Sequence, residues 1–232
     1  MKNIVVLTGA GISAESGIST FRDSDGLWEQ YRIEDVATPE AWIKDKALVT
    51  KFYNQRRMQL KNVKPNYGHI GLVELEKQFN VSIITQNVDN LHERAGSKHI
   101  VHLHGELTKV RSERYEELVY ELTEDKYEVK IGDLCENGYQ LRPHIVWFGE
   151  AVPMMEKAVA ITENADILVI IGTSLNVYPA AGLVHYVRPD VPVYLIDPKD
   201  VSVNRKNVFF IKKGASEGVK ELVKMLLIDK IR

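Results

Sequence analysis

Four groups of residues in this chain have types and spacings that could carry chemistry. The first is the segment Gly9-Ala10-Gly11-Ile12-Ser13-Ala14, which follows a short apolar run at residues 4–7. Gly9, Gly11 and Ala14 fit the alanine-ended form of G-x-G-x-x-G/A. Such a strand-to-glycine-to-helix junction leaves backbone N–H groups unpaired at the positive end of a helix, a setting that suits a pyrophosphate. The second is the polar run Gln86-Asn87-Val88-Asp89-Asn90-Leu91-His92, and the third is His104 followed by Gly105. A histidine whose unperturbed pKa is about 6.5 suits proton transfer near neutral pH. The fourth is Tyr53-x-x-Arg56, which a helix would place on one face. There a guanidinium fork and a phenol could clamp a carboxylate.

Each group also has a plainer reading. His102 and His104 alternate along one predicted strand, and either could be a structural histidine. Asn87 and Asp89 could be turn formers that cap the following helix. Tyr53 could pack beneath an Arg56 lying on a solvated helix face, as the neighbouring Arg57 could. Trp147 and Phe148 read as core or cleft-wall aromatics.

The elements that must position these groups form an alternating pattern. Apolar runs that could be buried parallel strands recur at residues 4–7, 81–85, 100–103, 145–148, 167–171 and 193–196. Between several of them lie helical patterns: residues 67–79, with apolar Ile70, Val73, Leu75 and Phe79 and a candidate N-cap at Asn66, then 179–187 and 217–227. Strand–helix alternation predicts an α/β fold, a Rossmann-like doubly wound parallel sheet. Ligands bind such sheets at the carboxyl ends of the strands. Those ends carry residues 8–11, 86–92, 104–105, 149–150, 172–176 and Asp197, nearly every chemically interesting residue in the chain.

Two stretches break the alternation, a helical one at 23–64 and a charged, tyrosine-bearing one at 106–141 with β-like pieces such as 127–131. They predict a smaller inserted lobe at 31–65 and 107–141, against a dinucleotide-binding domain at 1–30, 66–106 and 142–232. One departure from the ordinary dinucleotide fold matters. That fold expects an acidic strand end about 20 residues past the glycines. Here that region, Phe21-Arg22-Asp23-Ser24-Asp25-Gly26-Leu27-Trp28, reads as a loop, and the best strand-end acid is Asp197.

The bulk numbers bound the class. At 232 residues, with 44% hydrophobic and 27% charged residues, the chain has the composition of a soluble globular protein with a sizeable core. A net charge of −2 with no long basic run argues against nucleic acid as the main partner. The apolar run at 4–7 is too short for a signal-peptide core or a membrane span. With Cys135 as the one cysteine, no intrachain disulfide is possible, and a reducing cytoplasm is the expected home.

Five segments in order resemble the sirtuins, the NAD-dependent protein lysine deacylases: residues 9–22, 85–92, His104-Gly105, Arg142-Pro143-His144-Ile145-Val146-Trp147-Phe148-Gly149-Glu150, and Ile171-Gly172-Thr173-Ser174-Leu175-Asn176-Val177-Tyr178-Pro179-Ala180-Ala181. The resemblance implies NAD as cofactor, acylated-lysine proteins or peptides as substrates, and nicotinamide and O-acyl-ADP-ribose as products. It implies His104 as general base, with Asn87 and Asp89 holding the nicotinamide amide and Gln86 against its ribose. Phe21 would cover the ribose carbon and Arg22 would lie near the phosphates. Gly9, Ala10, Gly11, Gly172, Thr173, Ser174 and Asp197 would line the rest of the dinucleotide, although many relatives have asparagine at the position of Asp197. Val146, Phe148 and Gly149 would meet an extended substrate peptide by strand addition. Residues 23–34, with Gly26 and Trp28, are expected to order on cofactor binding.

Within that family a Tyr-x-x-Arg pair at Tyr53 and Arg56, with a small residue at Ala37, marks the subgroup that removes negatively charged acyl groups. The expectation is therefore desuccinylation or demalonylation, with weaker deacetylation, by a monomer or weak oligomer. Sirtuins commonly bind a structural zinc through two Cys-x-x-Cys pairs. The corresponding positions here are Ser112, Tyr115, Cys135 and Gly138, and no histidine lies between Gly105 and Leu141, so no zinc is expected. The lobe would instead be held by Tyr115, Leu118, Val119, Tyr120, Leu122, Tyr127, Val129 and Ile131. Competing expectations are a protein deacetylase, transfer of ADP-ribose to protein, a dehydrogenase, and a non-catalytic NAD sensor. A missing Tyr-x-x-x-Lys pair and the absent second-strand acid weaken the dehydrogenase.

Overall fold

A computed structural model describes residues 1–18, 30–123 and 126–228. Six parallel strands form the main sheet in the order β3-β2-β1-β7-β8-β9. They are β1 (Asn3–Thr8), β2 (Asn80–Thr85), β3 (Ile100–His102), β7 (Ile167–Ile171), β8 (Val193–Ile196) and β9 (Val208–Ile211). β1 pairs in parallel with β2 on one side and β7 on the other, so the strand order reverses direction beside it. In doubly wound sheets ligands bind in the crevice at such a reversal, at the carboxyl ends of the strands, here β1 and β7.

The central strands read as unbroken apolar runs because both faces of the sheet are covered. Along β1, Ile4 and Val6 pack with Leu72, Leu75, Val219 and Leu222, beneath helices α5 (Tyr67–Leu75) and α8 (Ala215–Ile228). Val5 and Leu7 face the other way, onto Ala158 of α7 (Met155–Glu163) and onto Leu183 and Val184 of a 3-10 turn at Ala180–His185. Asn66 caps α5 as expected, its side chain accepting from Gly68 N at 2.8 Å. The buried face of α5 differs from the expected one. Ile70 is exposed, whereas His69, Gly71 and Leu72 are buried. A Cβ on Gly71 would lie 2.6 Å from Val219, so the close approach of α8 selects glycine and decides which face turns inward.

The second sheet is small and antiparallel, β5-β4-β6, built from β4 (Gly105–Ser112), β5 (Val119–Glu121) and β6 (Leu141–Ile145). Beside it lie the short helices α2 (Ile33–Val36) and α3 (Pro39–Lys44) and the long α4 (Lys46–Asn62). α4 starts at Asp45, whose carboxylate accepts from Leu48 N at 2.9 Å. Val36, Trp42, Phe52, Tyr53, Leu107, Ile145 and Trp147 form the core here.

Several expectations are corrected. The run at 145–148 is not a parallel strand. β6 ends at Ile145 and pairs antiparallel with β4, because a short apolar run cannot by itself declare which sheet it joins. No strand forms at 127–131. The 179–187 pattern folds as the 3-10 turn. β9 escaped notice because it is a four-residue edge strand with Phe209 and Phe210 exposed. Of the residues expected to pack the lobe, Val129 is buried, but Val119 and Ile131 are exposed.

Candidate active site

The glycines meet across the crevice. Gly9 N donates to Ile171 O and Gly11 N to Gly172 O, at 3.0 and 2.9 Å. A Cβ on Gly11 would sit 2.6 Å from Gly172 Cα, and one on Gly172, whose φ is +60°, would sit 2.5 Å from Ile12 N. Side chains there would hold the two loops apart, which is the close backbone approach that a pyrophosphate cradle requires. α1 (Ala10–Ala14) spans only five residues, so its dipole contributes less than the sequence pattern implied. Gln86 Nε2 donates to Thr173 Oγ1 at 3.1 Å, joining the loops after β2 and β7. Asp197 stands at the end of β8, where its carboxylate accepts from Lys199 N at 2.8 Å. Ala10 and Ser174 are half-buried along the same rim.

Beneath the cradle the loop after β2 turns inward. Asn87 donates its amide to Gly9 O and to Ser13 Oγ, both at 3.1 Å, and Ser13 donates to Asp89 Oδ2 at 2.9 Å. The other Asp89 oxygen accepts from Leu91 N at 3.1 Å, so the turn-forming role is also real, at the start of α6 (Leu91–Ala95). Burial pushes the Asp89 carboxyl above its usual value, against the pull of these two hydrogen bonds. Ser13 was not singled out from sequence, although it lies inside the glycine motif.

The two histidines separate by their partners. His104 Nδ1 lies 3.0 Å from the carbonyl of Gln86. A carbonyl cannot donate, so Nδ1 carries the proton and Nε2 keeps its lone pair. Burial lowers the His104 pKa, which keeps the ring neutral and Nε2 ready to take a proton. His102 faces two acceptors, Asn87 O at 3.0 Å and Glu93 Oε1 at 2.8 Å, and these contacts raise its pKa against the effect of burial. Gly105 follows His104 because φ there is +80° and a Cβ would come 2.0 Å from His144 O. His104 O in turn accepts from Val146 N at 3.0 Å, which fixes His104 beside the segment expected to meet a peptide.

Tyr53 and Arg56 share a face of α4. Tyr53 is buried, and its Oη accepts from Trp147 Nε1 at 3.0 Å, which leaves its own O–H to donate. Burial raises the phenol pKa and keeps it protonated. The Arg56 guanidinium lies 6.0 Å from the Tyr53 ring and 5.9 Å from Phe52, within the field of Asp89. Arg57 points elsewhere, donating to Leu107 O and Asn54 Oδ1, both at 2.8 Å, with burial drawing its pKa down to about 10. Ala37 is buried and its carbonyl accepts from Phe148 N at 3.0 Å. Trp147 is core, while Phe148 and Gly149 are exposed beside half-buried Val146. The Arg142 guanidinium stacks 3.3 Å above Trp147, and that Trp147–Tyr53 link was not read from sequence. Phe21, Arg22, Gly26 and Trp28 lie outside the described residues.

At the family's metal positions the donors do not fit zinc. Cys135 Sγ donates to Ser112 Oγ at 3.4 Å, Ser112 Oγ accepts from Tyr115 N at 3.2 Å, and Gly138 N donates to Cys135 O at 2.9 Å. The two turns still face each other, but one thiol and a hydroxyl fall short of a four-ligand thiolate or imidazole set.

A crevice at the strand-order reversal, a glycine cradle and a neutral histidine beneath a second lobe define a two-lobed dinucleotide enzyme. The Sir2 family model matches residues 9–179, and the chain belongs to that family. It is 64% identical over 231 residues to an NAD-dependent protein deacylase of Bacteroides thetaiotaomicron, covering 98% of this chain and 99% of the relative. It is 53% identical over 228 residues to one of Helicobacter pylori, covering 98% of each. A Sir2 homologue in complex with NAD superposes with a TM-score of 0.87 at 40% identity, over 98% of this chain and 90% of the other. A Sir2 structure with a p53 peptide and NAD+ gives 0.79 at 29%, over 97% and 93%.

Proposed function

We propose that this protein is an NAD-dependent protein lysine deacylase that prefers negatively charged acyl groups, succinyl or malonyl, over acetyl. The deacylase reading is supported by the family, by the relatives and by the likeness to a Sir2 homologue solved with NAD. When bound, NAD would supply an electrophilic ribose carbon to the acyl-lysine; acyl-lysine, NAD and one water would balance to free lysine, nicotinamide and O-acyl-ADP-ribose.

The chain's own residues do the rest. Gly9, Ala10, Gly11, Gly172, Thr173 and Ser174 hold the phosphates and adenosine, and Asp197 accepts from the adenosine ribose hydroxyls. Gln86 lies against the nicotinamide ribose, with Phe21 and Arg22 expected over it. Asn87, its amide N–H groups committed to Gly9 and Ser13, presents its oxygen to the nicotinamide amide beside Asp89. His104 Nε2 takes the proton of a ribose hydroxyl. Val146, Phe148 and Gly149 offer an edge for the substrate peptide, and the lysine stem passes toward Tyr53.

One observation carries the acidic-acyl preference: a protonated Tyr53 hydroxyl with its donor uncommitted to Trp147, on the same helix face as the Arg56 guanidinium. Ala37 leaves room for the longer chain. Arg56→Met is expected to lower kcat/KM for succinyl- and malonyl-lysine peptides by roughly 10- to 100-fold, the worth of a charge-assisted pair, with acetyl-lysine turnover kept. Mass spectrometry of the products measures both. Equal loss on all three peptides would reject the preference. The composition supports a cytoplasmic setting and no zinc requirement, and a monomer or weak oligomer remains the proposed assembly.

A further inference from the structure

Two neighbouring side chains of one strand end hold two successive carbonyls of the loop that carries Gln86, Asn87 and Asp89. His104 Nδ1 donates to Gln86 O and His102 Nδ1 donates to Asn87 O, each at 3.0 Å. His104 is accounted for as the base; His102 has no part in the proposed chemistry, yet its side chain is only 7% exposed and fully bonded. We propose that His102, anchored by Glu93, is a positioning residue of the reaction, holding Asn87 where it meets the nicotinamide amide.

Counting hydrogens decides how His102 can serve both partners. A neutral imidazole has a single N–H, whereas His102 faces an acceptor at each nitrogen, the Asn87 carbonyl and the Glu93 carboxylate. Both bonds form together only on the imidazolium. The charges that face His102 come from three elements: Glu93 on α6, Glu106 on β4 and Asp89 in the loop. His92, also on α6, lies in the field of His102 but is held neutral by its burial. Glu93, Glu106 and the backbone bond outweigh desolvation and raise the His102 pKa. Although Glu93, His102 and Glu106 bring ligand atoms within 4.8 Å of one another, Lys109 already pairs with Glu106 at 2.8 Å, so the cluster balances its charge without a metal.

Because the folded pKa is raised, the clasp is complete below that pKa and is lost as pH rises through it. Activity therefore has an alkaline limb that belongs to His102, separate from the acidic limb on which His104 must lose its proton.

This inference rests on the deacylase reading, so the test pairs turnover with binding. Wild type, His102→Ala, His102→Asn and Glu93→Gln are compared for kcat and KM across pH, and for NAD and ADP-ribose affinity by calorimetry. In His102→Ala, kcat falls by roughly 10- to 100-fold, the scale of a misplaced contact. NAD affinity falls while ADP-ribose affinity, which does not depend on the nicotinamide contact, holds. His102→Asn, whose amide can donate from near the Nδ1 position, recovers most of both and lacks the alkaline limb. Glu93→Gln, a substitution on the surface, moves that limb to lower pH by about one unit. The proposal is overturned if His102→Ala keeps wild-type kcat and NAD affinity, if His102→Asn is as impaired as His102→Ala, or if Glu93→Gln leaves the limb in place. A wild type that binds NAD but deacylates no peptide would reject the deacylase reading, while the difference between NAD and ADP-ribose affinities would still judge His102.

Discussion

The two sheets of this protein are held by different mixtures of forces, and the contrast decides how each should fail when it is perturbed. The parallel sheet is an apolar sandwich: Ile4, Val6, Val169 and Ile196 on one face and Val5, Leu7, Ile170 and Leu195 on the other are all nearly inaccessible. The small antiparallel sheet buries Leu107, Val110 and Ile145 and, beside them, the polar Arg111, Ser112, Gln140 and Arg142. Glu150 pairs with Arg142 at 2.7 Å and Arg111 at 3.4 Å, and it also accepts from Trp147 N at 2.8 Å. Gln140 accepts from Gly132 N and donates to Lys130 and Asp133 carbonyls, stitching a loop that has little apolar mass. Hydrophobic burial is nondirectional and tolerant of exchange, while a polar network is specific and fails when one member is missing. The proposed cradle for NAD sits on the first kind of support; the proposed peptide edge and the Trp147–Tyr53 link draw on the second.

The largest effect expected from this contrast is global. Leu72→Ala, in a fully buried site between α5 and β1, should cost about 2–5 kcal/mol. Thermal unfolding should show one cooperative transition at lower temperature, with the cradle and the lobe melting together. Survival of the lobe's protection from hydrogen exchange after the sheet has melted would show that the two regions fold independently.

A smaller and more local effect is expected from Glu150→Gln, which removes the charge that two buried arginines share and should cost about 1–3 kcal/mol. Hydrogen exchange should rise at β6 and at residues 146–150 while the parallel sheet stays protected, and succinyl-peptide KM should rise with NAD affinity unchanged. Acid should reproduce the same loosening in the wild type. The Glu150 carboxyl is held below its usual value by Arg142, against desolvation. Its contribution is present above the unfolded carboxylate pKa of about 4.3 and is lost as pH falls through the lower folded value. Loosening of the sheet domain first on acidification would contradict this division.

The same contrast governs how much could be read from sequence. Unbroken apolar runs and glycine spacing announce the parallel sheet and the cradle, since burial on both faces and close backbone approach leave few residue choices. The motif positions Gly9, Gly11, Asn87, Asp89 and His104 converge because they all stand at strand ends of that sheet. The small lobe was poorly legible: beside its apolar core it relies on long-range polar pairs such as Arg142–Glu150 and Gln140–Lys130, which have no periodicity. Tyr127 and Val129 suggested a strand that does not form, and the long-range bond between Trp147 and Tyr53 left no local signal. β9 was hidden by its exposed phenylalanines at a sheet edge.

The smallest expected effect is none at all, and it sharpens the contrast most. Where a four-cysteine site would lose folding energy on removal of its metal, here the Ser112–Tyr115 and Cys135–Gly138 turns are closed by their own hydrogen bonds. Cys135 reaches Ser112, and Tyr115 packs edge-on against Tyr139 at 5.5 Å with the Arg114 guanidinium over the Tyr139 ring. Prolonged treatment with a zinc chelator should leave both the melting temperature and deacylation unchanged, and elemental analysis should find no stoichiometric zinc. Cys135→Ser, which keeps a donor to Ser112, should be equally silent. A chelator-induced fall in melting temperature would mean that a metal held by other residues supports the lobe, and the polar network would then be a consequence of that metal rather than its replacement.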